Sequence, residues 1–177
     1  MLKERIEAFD AFMNGCVSAE FRTWLVDNGF FNAPASRAHH GNEYGGLFRH
    51  SFTVASVLES MTKVNSLMWQ REESPRIIGM FHDLCKIDSY KEYCNEDGEI
   101  EWKYNLDTPL KGHGDKSVML LSRFMTLTEE EILCIRYHMG AFTDEREWGL
   151  YTGAIHKYEN VLWTHHADMI AAHVLGR

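Results

Sequence analysis

The chain has 177 residues, of which 45% are apolar, 25% charged and 12% aromatic; these fractions exclude intrinsic disorder, a collagen-like repeat and low complexity, and the length suffices for a core without disulfide staples. With 26 acidic against 18 basic residues the net charge is −8, so the broad attraction for a long phosphate polymer that a basic domain has is missing. Ten histidines make a bound metal the first chemistry to suspect.

Only 3 prolines and 13 glycines favour helices over a many-stranded sandwich. Leu2, Ile6, Phe9 and Met13 recur at helical spacing until Gly15 stops them. Ser18 caps a second helix that shows Phe21, Trp24 and Leu25 on one side and ends near Asn28-Gly29. Positions 30–46 are irregular, with Pro34, the pair His39-His40, Gly41, Gly45 and Gly46. A long helix follows, its expected buried stripe being Leu47, Val54, Leu58, Met61, Val64 and Met68. Ser74-Pro75 reads as an N-cap followed by an N1 proline, opening a helix that carries Ile77, Ile78, Met80 and Phe81 into His82-Asp83.

Residues 88–106 read as a short hairpin, with Tyr90, Tyr93, Ile100, Trp102 and Tyr104 around an Asn95-Glu96-Asp97-Gly98 turn. Its aromatics are expected to pack the hairpin onto the domain in preference to stacking on a base. Helical spacing returns with Val118, Leu121 and Met125. Thr128-Glu129-Glu130-Glu131 is a capping box opening a helix whose last turn is expected to hold Arg136 and His138 before Gly140. Positions 140–154 give no clear pattern, and a final helix is expected from Lys157 to Leu175. The reading is a single all-α domain over 1–177 with a hairpin excursion near 90–104, in which the helices of 1–30 pack on a core spanning 40–175.

No apolar run approaches the roughly 18 residues of a spanning helix, and the acidic, amphipathic start is unlike an export signal. Cys16, Cys85, Cys94 and Cys134 form no CxxC pair, which points to reduced thiols and a cytoplasmic setting. No membrane partner and no long nucleic acid are expected, and a homo-oligomer stays open.

A His-Asp pair arises easily by chance in a chain this rich in histidine, so His82-Asp83 alone carries little. Its setting carries more: two adjacent ionisable groups end an apolar helical turn, where burial is costly unless they are paired or metal-bound. His50 lies within the apolar start Leu47-Phe48-Arg49-His50-Ser51-Phe52. His113 sits in Gly112-His113-Gly114, His138 near a helix end, and Asp168 in the apolar run Ala167-Asp168-Met169-Ile170. Singly, each has an ordinary structural explanation. Six such groups in one small helical domain call for a shared buried destination, and imidazoles with carboxylates ligate divalent cations.

The order of these motifs resembles the HD-domain superfamily of metal-dependent phosphohydrolases, over about His40 to Asp168. The family pattern of a histidine, a later His-Asp pair and a distant aspartate falls on His50, His82-Asp83 and Asp168. Gly45-Gly46-Leu47-Phe48-Arg49-His50-Ser51 is similar to the first-ligand segment of the branch that includes bacterial 3′-to-5′ exoribonuclease HD domains. His82-Asp83-Leu84-Cys85-Lys86 resembles that branch's HD-x-x-K motif, with Cys85 where glycine is usual. His113 and His138 match members that bind two metals.

The resemblance implies a first metal on His50, His82, Asp83 and Asp168. Asp83 would bridge to a second metal on His113 and His138, the cations being one or two of Mn, Fe, Co, Ni or Zn. It implies a metal-activated hydroxide attacking a phosphomonoester or phosphodiester of a small molecule, such as a nucleotide or short oligonucleotide. Lys86 would neutralise developing charge, while His40 would contact phosphate or protonate the leaving group. Arg49 and Arg136 are candidate phosphate clamps. His165, one turn from Asp168, is a candidate partner of a ligand, although packing is its simpler role. The same six ligands also look like the di-iron site of HD-fold oxygenases, of which myo-inositol oxygenase is the type. A non-catalytic nucleotide-binding HD module is the third reading, disfavoured because all six ligands are present.

Overall fold

In the computed structural model, residues 1–37, 41–110 and 112–176 are described. Among them the fold is all-α with one hairpin. The helices are α1 (Leu2–Met13), α2 (Ala19–Asp27), α3 (Gly46–Asn65), α4 (Ser74–Phe81), α5 (Gly114–Leu121), α6 (Glu129–Arg136), α7 (Trp148–Lys157) and α8 (Asn160–Met169). Short 3-10 turns cover Leu84–Asp88, Gly140–Phe142 and Glu145–Glu147, and a π-helical turn, Ile170–Val174, extends α8.

Aromatic side chains tie the first two helices to the centre. Phe9 of α1 meets Phe31 edge-on at 5.3 Å and Phe81 of α4 at 6.2 Å, and Phe21 of α2 stacks on Phe124 at 4.7 Å. Phe9, Phe21, Phe30, Phe31 and Phe81 are all at most 1% exposed. Rings in such edge-to-face and offset contacts contribute beyond the area they bury. As the hydroxyl preceding the run suggests, Ser18 caps α2 by accepting from the Phe21 amide. The Thr128 capping box also forms, with Glu131 reaching back to the Thr128 amide.

Buried polar clamps set how α4, α6 and α8 meet. Glu131 is fully buried and accepts two bonds from Arg71, at 2.6 and 2.7 Å, and one from the Ser74 hydroxyl at 2.8 Å. Glu130 accepts from the Asn160 side-chain amide at 2.8 Å and from the Gln70 amide at 2.8 Å. Carboxylates buried this deeply are tolerable because each is charge-paired or multiply hydrogen-bonded.

Several expectations need correction. Ser74 does not cap α4: Glu73 occupies that position, and the Ser74 hydroxyl is drawn to Glu131. Val64 and Met68 are 82% and 84% exposed, because α3 ends at Asn65 and Ser66 turns left-handed at φ 54°, so the buried stripe stops before them. The α6 helix ends at Arg136, leaving His138 in the turn beyond it. The segment 140–154 holds two 3-10 turns and the start of α7, and the expected last helix is broken at Tyr158, which is extended at φ −137°.

The hairpin pairs β1 (Tyr90–Cys94) with antiparallel β2 (Ile100–Tyr104), in the register Tyr90↔Tyr104 and Cys94↔Ile100. Asn95 Oδ1 closes the turn by accepting from the amides of Asp97 and Glu99. Trp102 meets Tyr44 at 5.3 Å, but Tyr93 and Tyr104 are 42% and 62% exposed. The hairpin aromatics are therefore only partly used for docking. The base of the hairpin is held instead by the buried ammonium of Lys116 on α5, which pairs with Asp88 and donates to Thr108 at 2.9 Å. No described helix is long and apolar enough to cross a membrane.

Candidate metal centre

Each of the six expected donors comes from the end or the first turns of an element. His50 lies in α3; His82 and Asp83 follow the last turn of α4; His113 immediately precedes α5. His138 follows α6, and Asp168 is in the last turn of α8. Two glycines make their convergence possible. A Cβ on Gly79 would lie 2.3 Å from the Ala55 backbone, so α3 and α4 approach closely enough for His50 Nε2 and His82 Nε2 to sit 3.3 Å apart. A Cβ on Gly114 would meet the Arg136 carbonyl oxygen at 2.3 Å. That contact sets the start of α5 against the end of α6, with His113 and His138 ring centres 5.1 Å apart.

Asp83 is the hub. Its Oδ2 lies 3.6 Å from His50 Nε2, 3.5 Å from His82 Nε2 and 2.6 Å from Lys86 Nζ. Its Oδ1 lies 2.8 Å from His113 Nε2 and 3.5 Å from His138 Nε2. Asp168 Oδ1 closes the other side, 3.0 Å from His50 Nε2 and 3.9 Å from His82 Nε2. Overlapping groups of these residues, and of Asp83, Cys85 and His113, have donor atoms close enough together to hold a metal ion. All six predicted ligands thus meet in one place.

Backbone carbonyls fix which ring nitrogens face the centre. His82 Nδ1 donates to the Gly79 carbonyl at 2.8 Å, and His138 Nδ1 donates to the Ile135 carbonyl at 2.7 Å. A carbonyl only accepts, so both Nδ1 atoms carry protons and both Nε2 atoms turn inward, as metal-ligating histidines do. His138 Nε2 and Asp83 Oδ1 are buried, and neither has an aligned hydrogen-bond partner.

Burial dominates the titration of His138 and holds it below the usual histidine value, hence neutral. Burial also opposes charge on His82 and His113, but the neighbouring Asp83 outweighs it; His82 is raised and His113 is pushed up to about 10. Asp83, despite its burial, is held well below the carboxylate range by Lys86, His82 and His113. Asp168 is also lowered, with burial opposing and the His50 hydrogen bond foremost among the favourable causes. Both carboxylates are therefore anions, the state in which they ligate a cation.

The remaining candidates separate. Lys86 belongs to the cluster through Asp83, which keeps its ammonium charged against the burial that opposes it. Arg49 pairs with Glu43 at 2.5 Å, and Arg136 with Asp115 at 2.7 Å and Glu147 at 3.2 Å. Both arginines are thus engaged by surface carboxylates rather than joined to the cluster. His40 lies outside the described residues. Comparison of the chain with family models, curated proteins and solved structures finds no match.

Two residues singled out in the sequence make contacts whose form it did not give. Cys85 Sγ lies 3.3 Å from His113 Nδ1, so the thiol two residues after Asp83 touches one of the six candidate donors from behind. His165 Nδ1 donates to the His138 carbonyl at 2.8 Å while its ring covers Gly140, so it acts on the turn that carries His138 rather than on the cluster itself.

Proposed function

We propose that the chain is a metal-dependent phosphohydrolase of the HD type, acting on a phosphate ester of a small molecule. The observation that carries this reading is the facing pair at the bottom of the site. His138 Nε2 is buried and presents a lone pair to Asp83 Oδ1 3.5 Å away with no hydrogen bond aligned between them, while His113 Nε2 reaches the same oxygen at 2.8 Å. A buried imidazole lone pair aimed at a carboxylate oxygen is a costly contact that a cation held between the two relieves.

The donor set, four imidazoles and two carboxylates with no obligatory sulfur, suits Mn, Fe, Co, Ni or Zn. His50, His82, Asp83 and Asp168 would hold one ion, and Asp83, His113 and His138 a second. When bound, such ions lower the pKa of a coordinated water and offset charge on phosphoryl oxygens.

The chain's own residues supply the rest. Lys86 is kept as an ammonium by Asp83 beside the opening of the site, where it orients a phosphoryl oxygen and balances charge that grows during P–O cleavage. The carbonyls of Gly79 and Ile135 hold two rings in one tautomer, so no reorganisation is needed for ligation. The net charge of −8 favours a small substrate over a long polymer gripped by charge.

The test is a panel of phosphomonoesters and phosphodiesters assayed with Mn²⁺, Co²⁺, Ni²⁺ and Mg²⁺. Release of phosphate or alcohol, abolished by a chelator and restored by a transition metal, is the expected result. Inactivity on every ester, with ferric absorption and O₂ uptake on a polyol, would replace hydrolysis with oxygenation.

A further inference from the structure

A cavity of about 460 Å³ opens beside the ligand cluster, between its exposed side and the base of the hairpin. That volume falls within the ~300–1,000 Å³ typical of small-molecule sites. Its inner wall is His113, Lys86 and Cys85, the first two in direct contact with Asp83. Its outer wall is Tyr90 and Tyr104, cross-strand partners whose rings lie 5.5 Å apart and tilted by 36°. The cavity is therefore lined both by residues of the donor cluster and by aromatic rings.

The outer wall is built differently from a packing contact. Tyr90 is half-buried, but Tyr104 keeps 62% of its surface exposed. The Arg37 guanidinium approaches its ring at 5.5 Å. An exposed, electron-rich ring is a platform for a planar π system. The polar groups around it are already committed. Ser89 donates to the Cys85 carbonyl, Asn105 to the Asp88 carbonyl, Thr108 to Asp88, and Lys116 to Asp88 and Thr108.

We propose that this cavity seats the alcohol portion of the phosphate ester, and that this portion carries a planar aromatic ring stacked on Tyr104. The inference rests on the phosphohydrolase reading for the phosphate end and on the cavity alone for the ring end. Because the side chains of Ser89, Asn105, Thr108 and Lys116 are already bonded within the protein, recognition of the ring is chiefly by stacking and shape. Different nucleobases, or a simple aryl group, are accepted within a fewfold of each other. Tyr104, on this account, determines specificity and does not touch the reacting atoms.

Two variants of the full chain test this, Tyr104→Ala and Tyr104→Phe, at a position exposed enough that neither threatens the fold. With adenosine 5′-monophosphate and 4-nitrophenyl phosphate as ring-bearing esters and glycerol 3-phosphate as the ringless one, the ratio of kcat/KM for ring over ringless substrate is measured. Tyr104→Ala is expected to lower that ratio about tenfold, mostly through KM, and Tyr104→Phe to preserve it. An unchanged ratio in Tyr104→Ala would overturn the proposal.

A second arm does not depend on turnover: equilibrium binding of adenosine and of 4-nitrophenol to the same three proteins. Roughly tenfold weaker binding to Tyr104→Ala supports the site even if no ester is hydrolysed, and the tighter of the two ligands distinguishes a nucleoside from a simple aryl group. Failure of both ligands to bind the unsubstituted protein, or binding indifferent to Tyr104, would sink it.

Discussion

His138 makes the plainest electrostatic demand in the chain: a neutral, buried imidazole whose inward nitrogen faces a carboxylate oxygen. The same demand has a proton counterpart. In the metal-free protein Asp83 holds His113 protonated up to about 10 and raises His82 as well, whereas a ligating imidazole must be neutral. Metal uptake near neutral pH should therefore release protons, and apparent affinity should tighten as pH rises. Calorimetric titration in two buffers of different ionisation enthalpy checks this; identical observed enthalpies would show that no proton leaves. Lys86 is expected to act on chemistry rather than on metal retention. Lys86→Ala should keep its metal, read by elemental analysis, while kcat falls by about 10²–10³-fold, the usual loss for a positioned charge-stabilising donor. Loss of metal in that variant would make Lys86 a structural prop of Asp83.

At the level of elements, the centre depends on helices that meet closer than ordinary side chains allow. Gly79 is the sharpest case. Helix propensity alone would favour alanine there by about 1 kcal/mol, but the added Cβ would lie 2.3 Å from the Ala55 backbone. The neighbouring atom is main chain and cannot rotate away, so α3 and α4 must part. Gly79→Ala is expected to destabilise the fold by about 1–3 kcal/mol, the scale of overpacking a core, and to weaken metal binding by moving His50 away from His82. Urea denaturation and metal titration of the variant measure the two effects; a more stable protein with unchanged affinity would contradict the packing account. The capping residues Ser18 and Thr128 and the hairpin turn were legible because their signals are local. The end of α3 and the break at Tyr158 were not, because neither carries a glycine or proline stop, and the role of Ser74 was not, because it is decided by the distant Glu131.

Over the whole molecule, the six donors were legible as residue types in apolar settings, and the structure brings all of them to one hub. What the sequence could not convey was how they are held: the carbonyls behind His82 and His138, the thiol behind His113, and the glycines that let the helices close. The arginines adjoining ligands were misleading for the same reason, since adjacency in sequence does not say where a long side chain turns. Arg136 turns to Asp115 and Glu147. The most direct test is metal stoichiometry in the unsubstituted protein and in Asp83→Ala, with helicity followed by circular dichroism. One or two transition-metal ions per chain, lost on substitution while the helices persist, is the predicted result. A folded Asp83→Ala protein with undiminished metal, or an unsubstituted protein that binds none of Mn²⁺, Co²⁺, Ni²⁺ or Zn²⁺, would contradict it.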